Sequence, residues 1–381
     1  SISRLEKYAQ CPFAYFMEYG LKAKERKVYE LSPPDLGSFM HIVLDRFSEY
    51  LDERNIKWKE LDREQCAKII STIVDSTVDK ISGSILSSSA RYKYLKERLK
   101  RIMLRAVCLI ALQFKCSGFE QADHEVAFQK GGKYPPISIC LPSDEEIKLV
   151  GRIDRVDMLK GEEGIYVRII DYKSGNKDFN LSDIYNGLEF QLLIYIDAIL
   201  EQVSKTTGKP AFPGGILYFK IDEPIVSAQG ELTEEEAEKE IMKRLKMRGL
   251  LLSDVRVVKE MDRNIKGYSL IIPANIRADG NFGPNSSIAS AQDFEALRKH
   301  VKNCIIDLCE EMLKGNISIH PYKKRNMTPC SFCSFKPVCG FDTSVSENTY
   351  RIIDDKSKDE VWSALSHESK AEGGNGSGMD E

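Results

Sequence analysis

The chain has 381 residues, of which 42% are hydrophobic and 30% are charged, and this composition is typical of a globular protein with one large domain or two smaller ones. No apolar run is long enough to span a membrane and no secretory signal opens the chain, so we expect a cytoplasmic protein without a membrane partner. The net charge of −3 excludes a general attraction to nucleic acid, so any DNA site must be local.

The first third of the chain is predicted to be helical. Helices are predicted at residues 3–19, 37–53, 62–82 and 90–116. Pro12 should interrupt the first of them, because proline cannot continue a helix. The second has a strongly periodic apolar stripe that includes Phe39, Val43 and Phe47, which indicates that one face packs on a core.

The pattern changes from helical to extended after residue 116. Strands are predicted at residues 122–129, 136–141, 147–159, 164–172, 215–221 and 267–273. Further helices are predicted at residues 187–203, 232–248 and 291–314. Strands that alternate with helices indicate an α/β core with a mixed central sheet. Residues 346–381 are predicted to be a polar, flexible tail with a disordered glycine-rich end at 373–378.

Two carboxylates occupy similar places on two neighbouring predicted strands. Asp154 lies in a Gly-Arg-Ile-Asp-Arg segment that begins at Gly151, and Asp171 begins an Asp-Tyr-Lys-Ser-Gly segment that ends at Gly175. Residues two apart on a strand point to the same face, so Asp171 and Lys173 share one side of the sheet. Hard oxygen ligands beside an ammonium group suit a divalent cation and a phosphodiester.

The alternative is that these charges are structural, because a short Asp-x-Lys motif often occurs without a function. Asp171, however, follows an apolar run over residues 167–170 that only Arg168 interrupts, and such runs belong to buried strands. An unpaired buried charge is costly. The carboxylate and the lysine therefore need either a metal or each other.

Three further polar residues are candidates for the same site. His41 lies on the helix with the apolar stripe, and Asp45, one turn on, could orient its imidazole ring. Gln191 and Tyr195 are four residues apart on the helix after the second carboxylate, so they share one helix face that can lie beside Asp171. For each of the three, ordinary packing at the edge of the core is the alternative.

Four cysteines form a candidate metal site. Cys330, Cys333 and Cys339 are clustered near one end of the chain, and Cys11, near the other end, is the best candidate for a fourth ligand. A zinc ion with four thiolate ligands is the default for a CxxC cluster, whereas the absence of a second CxxC pair mildly favours an iron–sulfur cluster. Either metal would join the two ends of the domain.

Taken together, these motifs resemble one known family. The segments that carry the resemblance occur in the family's order at residues 3–6, 11–21, 37–41, 151–155, 171–175 and 191–195, followed by the three clustered cysteines. Over residues 1–345 the chain resembles the iron–sulfur nuclease domain in the AddB component of AddAB helicase–nucleases. That domain belongs to the RecB-type branch of the PD-(D/E)XK nuclease fold.

The resemblance implies a restriction-endonuclease-like core over about 120–225, an N-terminal helical insertion over about 54–116, and a domain that ends near residue 345. It implies a [4Fe–4S] cluster on the four cysteines, and a longer parent subunit that pairs with an AddA-like helicase–nuclease subunit; Ser1 rather than Met as the first residue fits such a part. The substrate would be DNA, as a single strand or a duplex end, and the product a cleaved 5′-terminated strand.

The resemblance also implies roles within the site. The implied ligands of Mg²⁺ or Mn²⁺ are His41, Asp154, Asp171 and the carbonyl group of Tyr172. Lys173 would orient the nucleophile and offset charge on the phosphorane. Gln191 and Tyr195 would contact the DNA backbone or position Lys173. Glu125 lies where some relatives carry an extra acidic residue, and a surface strand position is the alternative for it.

Three other interpretations stay open. A free-standing iron–sulfur exonuclease of repair or CRISPR adaptation would share the fold and motifs, but the segment around Cys11 and the long helical insertion favour the AddB-like interpretation. A non-catalytic DNA-binding scaffold would be expected to lose at least one of the His, Asp, Asp and Lys residues. A structural domain held together by a zinc ion is the third, and it would be colourless, whereas an iron–sulfur protein is brown.

Overall fold

The computed structural model describes residues 1–24, 33–82, 90–175, 178–226 and 230–374. The helical elements that precede the sheet are α1 (Ile2–Gln10), α2 (Pro12–Tyr15), a π-helical turn (Phe16–Gly20), α3 (Pro33–Glu53), a 3₁₀ turn (Trp58–Glu60), α4 (Arg63–Ser82) and α5 (Ala90–Lys115). The break between α1 and α2 falls at Cys11, whose backbone is extended, and Pro12 starts the second helix as the sequence predicts.

Strands and helices then alternate. The elements of this region are β1 (Glu120–Phe128), β2 (Ile137–Cys140), β3 (Glu146–Leu149), β4 (Gly151–Lys160), β5 (Ile165–Lys173), α6 (Leu181–Tyr185), α7 (Gln191–Thr207), β6 (Ala211–Lys220), α8 (Glu234–Leu245), β7 (Arg248–Leu252) and α9 (Val255–Met261). The predicted strand over 147–159 is divided at Val150 into β3 and β4.

The C-terminal region is built of short strands between two long helices. Its elements are β8 (Gly267–Tyr268), β9 (Asn275–Ile276), β10 (Ile288–Ala289), α10 (Ala291–Leu313), β11 (Tyr322–Lys323), a 3₁₀ turn (Pro329–Phe332), α11 (Lys336–Cys339), β12 (Arg351–Ile352) and α12 (Lys358–Gly374). No helix in the described ranges is both long and apolar enough to cross a bilayer.

A six-stranded mixed sheet forms the centre, in the order β1-β4-β5-β6-β7-β10. Strands β1, β4 and β5 are antiparallel neighbours, β5 and β6 are parallel, and α7 connects them across one face. β5 is buried along almost its whole length, as the apolar run predicts. The predicted stripe of α3 is confirmed, because Phe39, Val43 and Phe47 are all buried. The mixed α/β architecture is therefore confirmed.

The sequence-based prediction is wrong at the far side of the sheet. Residues 248–252 form the strand β7, which was not predicted, and the helix predicted over 232–248 ends at Leu245, whereas the predicted strand over 267–273 is reduced to β8. A short apolar run fits a buried strand or a helix equally well, so periodicity alone could not decide. Gly249 permits the pairing, since a Cβ there would lie 2.0 Å from the carbonyl oxygen of Ile216 on β6. The sheet thus extends beyond the core predicted to end near residue 225.

The prediction of a flexible tail from residue 346 is wrong for the segment that carries α12. Val361 and Leu365 on this helix are buried against the main core, and β12 pairs with β11. Two apolar residues four positions apart were enough to dock a helix that composition alone described as polar. Part of the predicted disordered end, residues 375–378, lies outside the described residues.

Three charged residues are buried on the face of β4 and β5 opposite to the carboxylates of the sequence motifs. Asp157 accepts from Nε and Nη2 of Arg155, at 2.7–3.0 Å, and from Nε of Arg168 at 2.8 Å. Burial acts to raise the pKa of Asp157, but the two guanidinium groups hold it below its usual value. The guanidinium groups also lie over the rings of Phe114 and Phe119. This triad fixes the two strands to each other.

Replacing Asp157 with Asn should destabilise the fold by about 3–5 kcal/mol, because two buried guanidinium groups would lose the carboxylate that they share. The free energy of unfolding from urea titration measures this. Glu201→Gln is the matched control, since Glu201 pairs with Lys205 at the surface and such pairs contribute about 0–1 kcal/mol. Equal small losses in both variants would contradict a stabilising role for the triad.

Candidate active site and cysteine pocket

Asp154 and Asp171 meet where β4 and β5 reach the same edge of the sheet. The antiparallel register pairs Arg155 with Ile170, so the next two residues, Asp154 and Asp171, lie opposite each other on one face. Only 6% of the surface of Asp154 and 4% of that of Asp171 are exposed. Two carboxylates that are so well shielded from solvent require positively charged partners.

His41 supplies the first of these partners from α3. Its Nδ1 lies 3.0 Å from Oδ1 of Asp154 and 3.8 Å from Oε1 of Glu125. Burial alone would lower the pKa of His41, but the two carboxylates raise it to about 10, so the ring is charged at neutral pH. The other oxygen of Asp154 accepts from the amide of Tyr172 at 2.5 Å. Burial, together with the charge of Asp171, raises the pKa of Asp154 to about 6.

Glu125 lies inside the site, although the sequence motifs offered only a weak reason to place it there. Its backbone has a φ of 46°, the left-handed region that a non-glycine residue rarely adopts on a strand. Its second oxygen accepts from Nη1 of Arg152 at 3.0 Å. In the described ranges, His41, Glu125 and Asp154 are the one set of three or more potential ligands whose ligand atoms all lie within 4.8 Å of one another. This set offers two carboxylates and an imidazole to a cation.

Asp171 lies beside this set, with both oxygens held by neighbours. Lys173, two residues on and on the same face as predicted, places Nζ 2.5 Å from Oδ2. Gln191, the first residue of α7, donates from Nε2 to Oδ1 at 3.0 Å. The prediction that the helix after β5 would bring Gln191 to Asp171 is therefore matched by the geometry. Tyr172 presents its amide to Asp154, and its carbonyl group stays a predicted ligand.

Tyr195 contacts β4 rather than the open side of the site. Its hydroxyl group accepts from the backbone N–H of Arg152 at 3.0 Å, and its ring stacks on Phe128 at 5.4 Å. A Cβ at position 151 would lie 2.0 Å from this hydroxyl group, so Gly151 is what allows the close approach. Because Tyr195 is only 4% exposed, a contact with the DNA backbone does not fit its position. It holds the start of the strand that carries Asp154.

The expected pairing of Asp45 with His41 is wrong. Asp45 lies 2.9 Å from Nδ1 of His124 on β1, and Asp52, two turns along α3, lies 3.0 Å from Nε2 of the same ring. A spacing of four residues allowed the predicted contact but could not show that a strand residue would take the carboxylate.

Four cysteines from opposite ends of the chain line one pocket. The pocket includes Cys11, Cys330, Cys333 and Cys339, and its cavity volume is about 30 Å³. Burial raises the pKa of the Cys11 thiol, and hydrogen bonds from the backbone N–H groups of Ala14, His320 and Phe13 oppose that rise. Such donors stabilise a thiolate, which is the form that binds metals.

Divalent cation binding at the carboxylate site should strengthen as pH rises. The cation needs the neutral ring of His41, whose pKa is about 10, so binding at pH 7 must release about one proton. The Mn²⁺ affinity should therefore rise by up to about tenfold per pH unit between pH 7 and 9. Calorimetry in buffers of different ionisation enthalpy measures both quantities.

His41→Asn is the control for this experiment, since an amide carries no proton for the cation to displace. The pH dependence of Mn²⁺ affinity above pH 7 should disappear in this variant. An affinity that stays constant between pH 7 and 9 in the unsubstituted chain would contradict a role for His41 as a ligand.

The chain matches a family model described as the PD-(D/E)XK nuclease superfamily over residues 1–340. It is 53% identical over 368 residues to the B subunit of an ATP-dependent helicase/deoxyribonuclease from Acetivibrio thermocellus, and 52% identical over 368 residues to the protein of the same name from Clostridium novyi. Both alignments cover 97% of this chain and 32% of the relative, so the chain spans about a third of the length of the curated relatives it matches. Because the family model covers most of the chain, the protein belongs to the PD-(D/E)XK nuclease superfamily.

Proposed function

We propose that this chain is a metal-dependent nuclease that hydrolyses phosphodiester bonds in single strands of DNA. One observation carries the proposal: His41, Glu125 and Asp154 converge within 4.8 Å beside the Asp171–Lys173 ion pair. A cation site next to a lysine suits an anionic substrate whose reaction builds negative charge. A non-catalytic scaffold would have no need for two buried carboxylates whose ion-pair partners, His41 and Lys173, can be displaced.

The donor set fits Mg²⁺ or Mn²⁺. The proposed ligands are His41, Asp154, Asp171 and the carbonyl group of Tyr172, with Glu125 near enough to join them. Carboxylate and carbonyl oxygens are the ligands these cations prefer, and one imidazole is compatible with Mn²⁺. The bound cation would lower the pKa of a water molecule and polarise the scissile phosphate. To hold a cation, His41 would release its proton and its ion pair with Asp154.

Lys173 is the residue proposed to act on the reacting atoms. Its side chain is 21% exposed, and its ammonium group lies between Asp171 and the ring of Tyr218, 5.1 Å from the ring centroid. From there it can orient the attacking nucleophile and offset charge on the phosphorane. Gln191 holds Asp171 from the helix side. Tyr195 holds the start of β4 and is proposed as a support for Asp154 rather than as a DNA contact.

The cysteine pocket is proposed to hold a [4Fe–4S] cluster on Cys11, Cys330, Cys333 and Cys339. These four residues line one pocket, and four thiolates can hold either a zinc ion or an iron–sulfur cluster. The choice of a cluster rests on the resemblance of the sequence motifs. Donors to the sulfur of Cys11 also suit a cluster, whose properties depend on hydrogen bonds to its sulfur atoms.

The names of the relatives, each the B subunit of an ATP-dependent helicase/deoxyribonuclease, suggest the larger setting. We propose that the chain acts as part of such a complex, with an AddA-like helicase–nuclease subunit as its partner in the cytoplasm. The helicase would deliver a single strand from a DNA end, and this site would cut the 5′-terminated strand. Processing of broken DNA ends is the corresponding biological role.

Asp171→Ala should reduce Mg²⁺-dependent or Mn²⁺-dependent cutting of single-stranded DNA by more than about 100-fold, because loss of a residue that merely supports a metal ligand already costs about 10–100-fold. Digestion of an end-labelled oligonucleotide measures the rate. Asp279→Ala is the control, since Asp279 is half-exposed and lies on a turn far along the chain. Undiminished cutting by Asp171→Ala, with the iron content and fold intact in both variants, would contradict the assignment.

Cys330→Ala should lose the cluster and destabilise the chain. A crosslink that closes a loop of about 320 residues contributes on the order of 5–6 kcal/mol by chain entropy, which is an upper estimate for this variant. Anaerobic absorbance, iron and zinc analysis and thermal unfolding measure the outcome, with the exposed Cys140→Ala as the control. A colourless protein with one zinc ion would instead assign the pocket to a structural zinc site.

A further inference from the structure

Helix α7 begins without a cap of its own. The N-cap position is Phe190, whose side chain cannot accept a hydrogen bond. Several other helices have a side-chain cap at their own N-cap position: Asn180 caps α6, Thr233 caps α8 and Ser290 caps α10. The first N–H groups of a helix lack partners within the helix, and a missing cap costs stability at that end.

Glu6, a residue of α1, supplies the missing acceptor from 184 positions away. Its Oε1 accepts from the N–H of Phe190 at 2.9 Å and from that of Gln191 at 3.3 Å. A carboxylate at this end also interacts favourably with the dipole of a 17-residue helix. The Glu6 side chain therefore anchors the start of α7 both by hydrogen bonding and by charge.

The backbone that presents Glu6 is itself held firmly. Leu5, Tyr8 and Ala9 on the same helix are buried. The hydroxyl group of Tyr8 donates to the carbonyl oxygen of Asn316 at 2.8 Å, so α1 is tied to the loop after α10. A rigid support of this kind is what allows a single side chain to fix the position of another element.

The start of α7 carries the contact with the candidate active site. Gln191 is its first residue and donates to Oδ1 of Asp171 at 3.0 Å. Hydrogen bonds weaken steeply when the donor moves beyond about 3.5 Å, so a small displacement of the helix start would release this oxygen. Asp171 would then lose one of the two groups that orient it, and Lys173 would be left as the other.

We propose that Glu6 is a positioning residue of the nuclease site, which acts through Gln191 on Asp171. The inference rests on the proposed function, because it takes Asp171 as a metal ligand. Glu6 touches neither the cation nor the substrate. Its side chain sets where the first turn of α7 lies, and the amide of Gln191 transmits that position to the carboxylate.

Substitutions at position 6 distinguish the effect of side-chain length from the effect of side-chain charge. Glu6→Gln keeps an oxygen at the same distance and loses the charge, whereas Glu6→Asp keeps the charge and is shorter by one methylene group. We expect Glu6→Asp and Glu6→Ala to lower the single-turnover rate on single-stranded DNA and to weaken Mn²⁺ binding, each by about tenfold. Glu6→Gln should stay within about threefold, because it still accepts from the helix, and the apparent KM for DNA should be unchanged in all three.

A double-mutant cycle with Gln191 tests the route. If Glu6 acts through Gln191, then the double variant Glu6→Ala/Gln191→Ala should be no less active than the less active single variant. Each substitution would already remove the contact between Gln191 and Asp171, so the second has nothing further to remove. Arg4→Ala is the matched control on α1, because Arg4 is exposed and its guanidinium group lies over the ring of Tyr19. Multiplied losses in the double variant, or Glu6→Asp more active than Glu6→Gln, would overturn the proposal.

Measurements that do not depend on cutting keep the inference separate from the proposed function. Hydrogen exchange at the amides of Phe190 and Gln191 should quicken in Glu6→Asp and Glu6→Ala while iron content stays unchanged; unchanged exchange would overturn the inference. An unsubstituted chain that binds Mn²⁺ without cutting DNA would overturn the proposed function, and the Mn²⁺ affinities of the variants would still decide on Glu6. An unsubstituted chain that binds no Mn²⁺ would overturn both.

Discussion

Two carboxylates are held side by side in a nearly dry place, and each must be balanced by positive charge. In the structure the balance for Asp154 comes from His41, and that for Asp171 comes from Lys173. Both partners can be displaced: the imidazole can lose its proton, and the ammonium group can turn toward a substrate. The proposed divalent cation would replace existing ion pairs rather than enter a site without charges.

The remaining architecture serves to hold those carboxylates in register. On one face of β4 and β5, α7 supplies Gln191 to Asp171 and Tyr195 to the start of β4. On the other face the buried charges of Arg155, Asp157 and Arg168 fix the same two strands. Residues that alternate along one strand thus contribute to a structural network on one face and to the proposed metal site on the other. Rigid support on both faces is what a site that positions a phosphate requires.

Sequence patterns predicted the strands and helices around the site well, because the apolar run of β5 and the periodic apolar stripe of α3 agree with their burial. They also brought Asp171, Lys173 and Gln191 together, since spacing on one strand and order along the chain determine those contacts. They did not predict two other contacts between separate parts of the chain. Tyr195 reaches a backbone amide of β4, and Glu6 caps a helix that begins 185 residues later.

Two other failures have the same cause. Glu125 enters the site through a left-handed backbone on β1, which no residue pattern announces for a glutamate. The strand β7 and the docked helix α12 depend on which surfaces are available for pairing and packing, and composition does not contain that information. Local pattern therefore indicated the candidate site residues, while tertiary contacts determine how they are held.

The most direct test of the proposed metal site is an anomalous difference map from crystals soaked in Mn²⁺. We expect a single strong peak at the edge of the sheet, bonded at about 2.1 Å to a ring nitrogen of His41 and to oxygens of Asp154 and Asp171. His41 should then have left its ion pair with Asp154. A peak bonded elsewhere, or none at saturating Mn²⁺ in crystals whose protein cuts DNA, would contradict the claim that these carboxylates are the catalytic metal site.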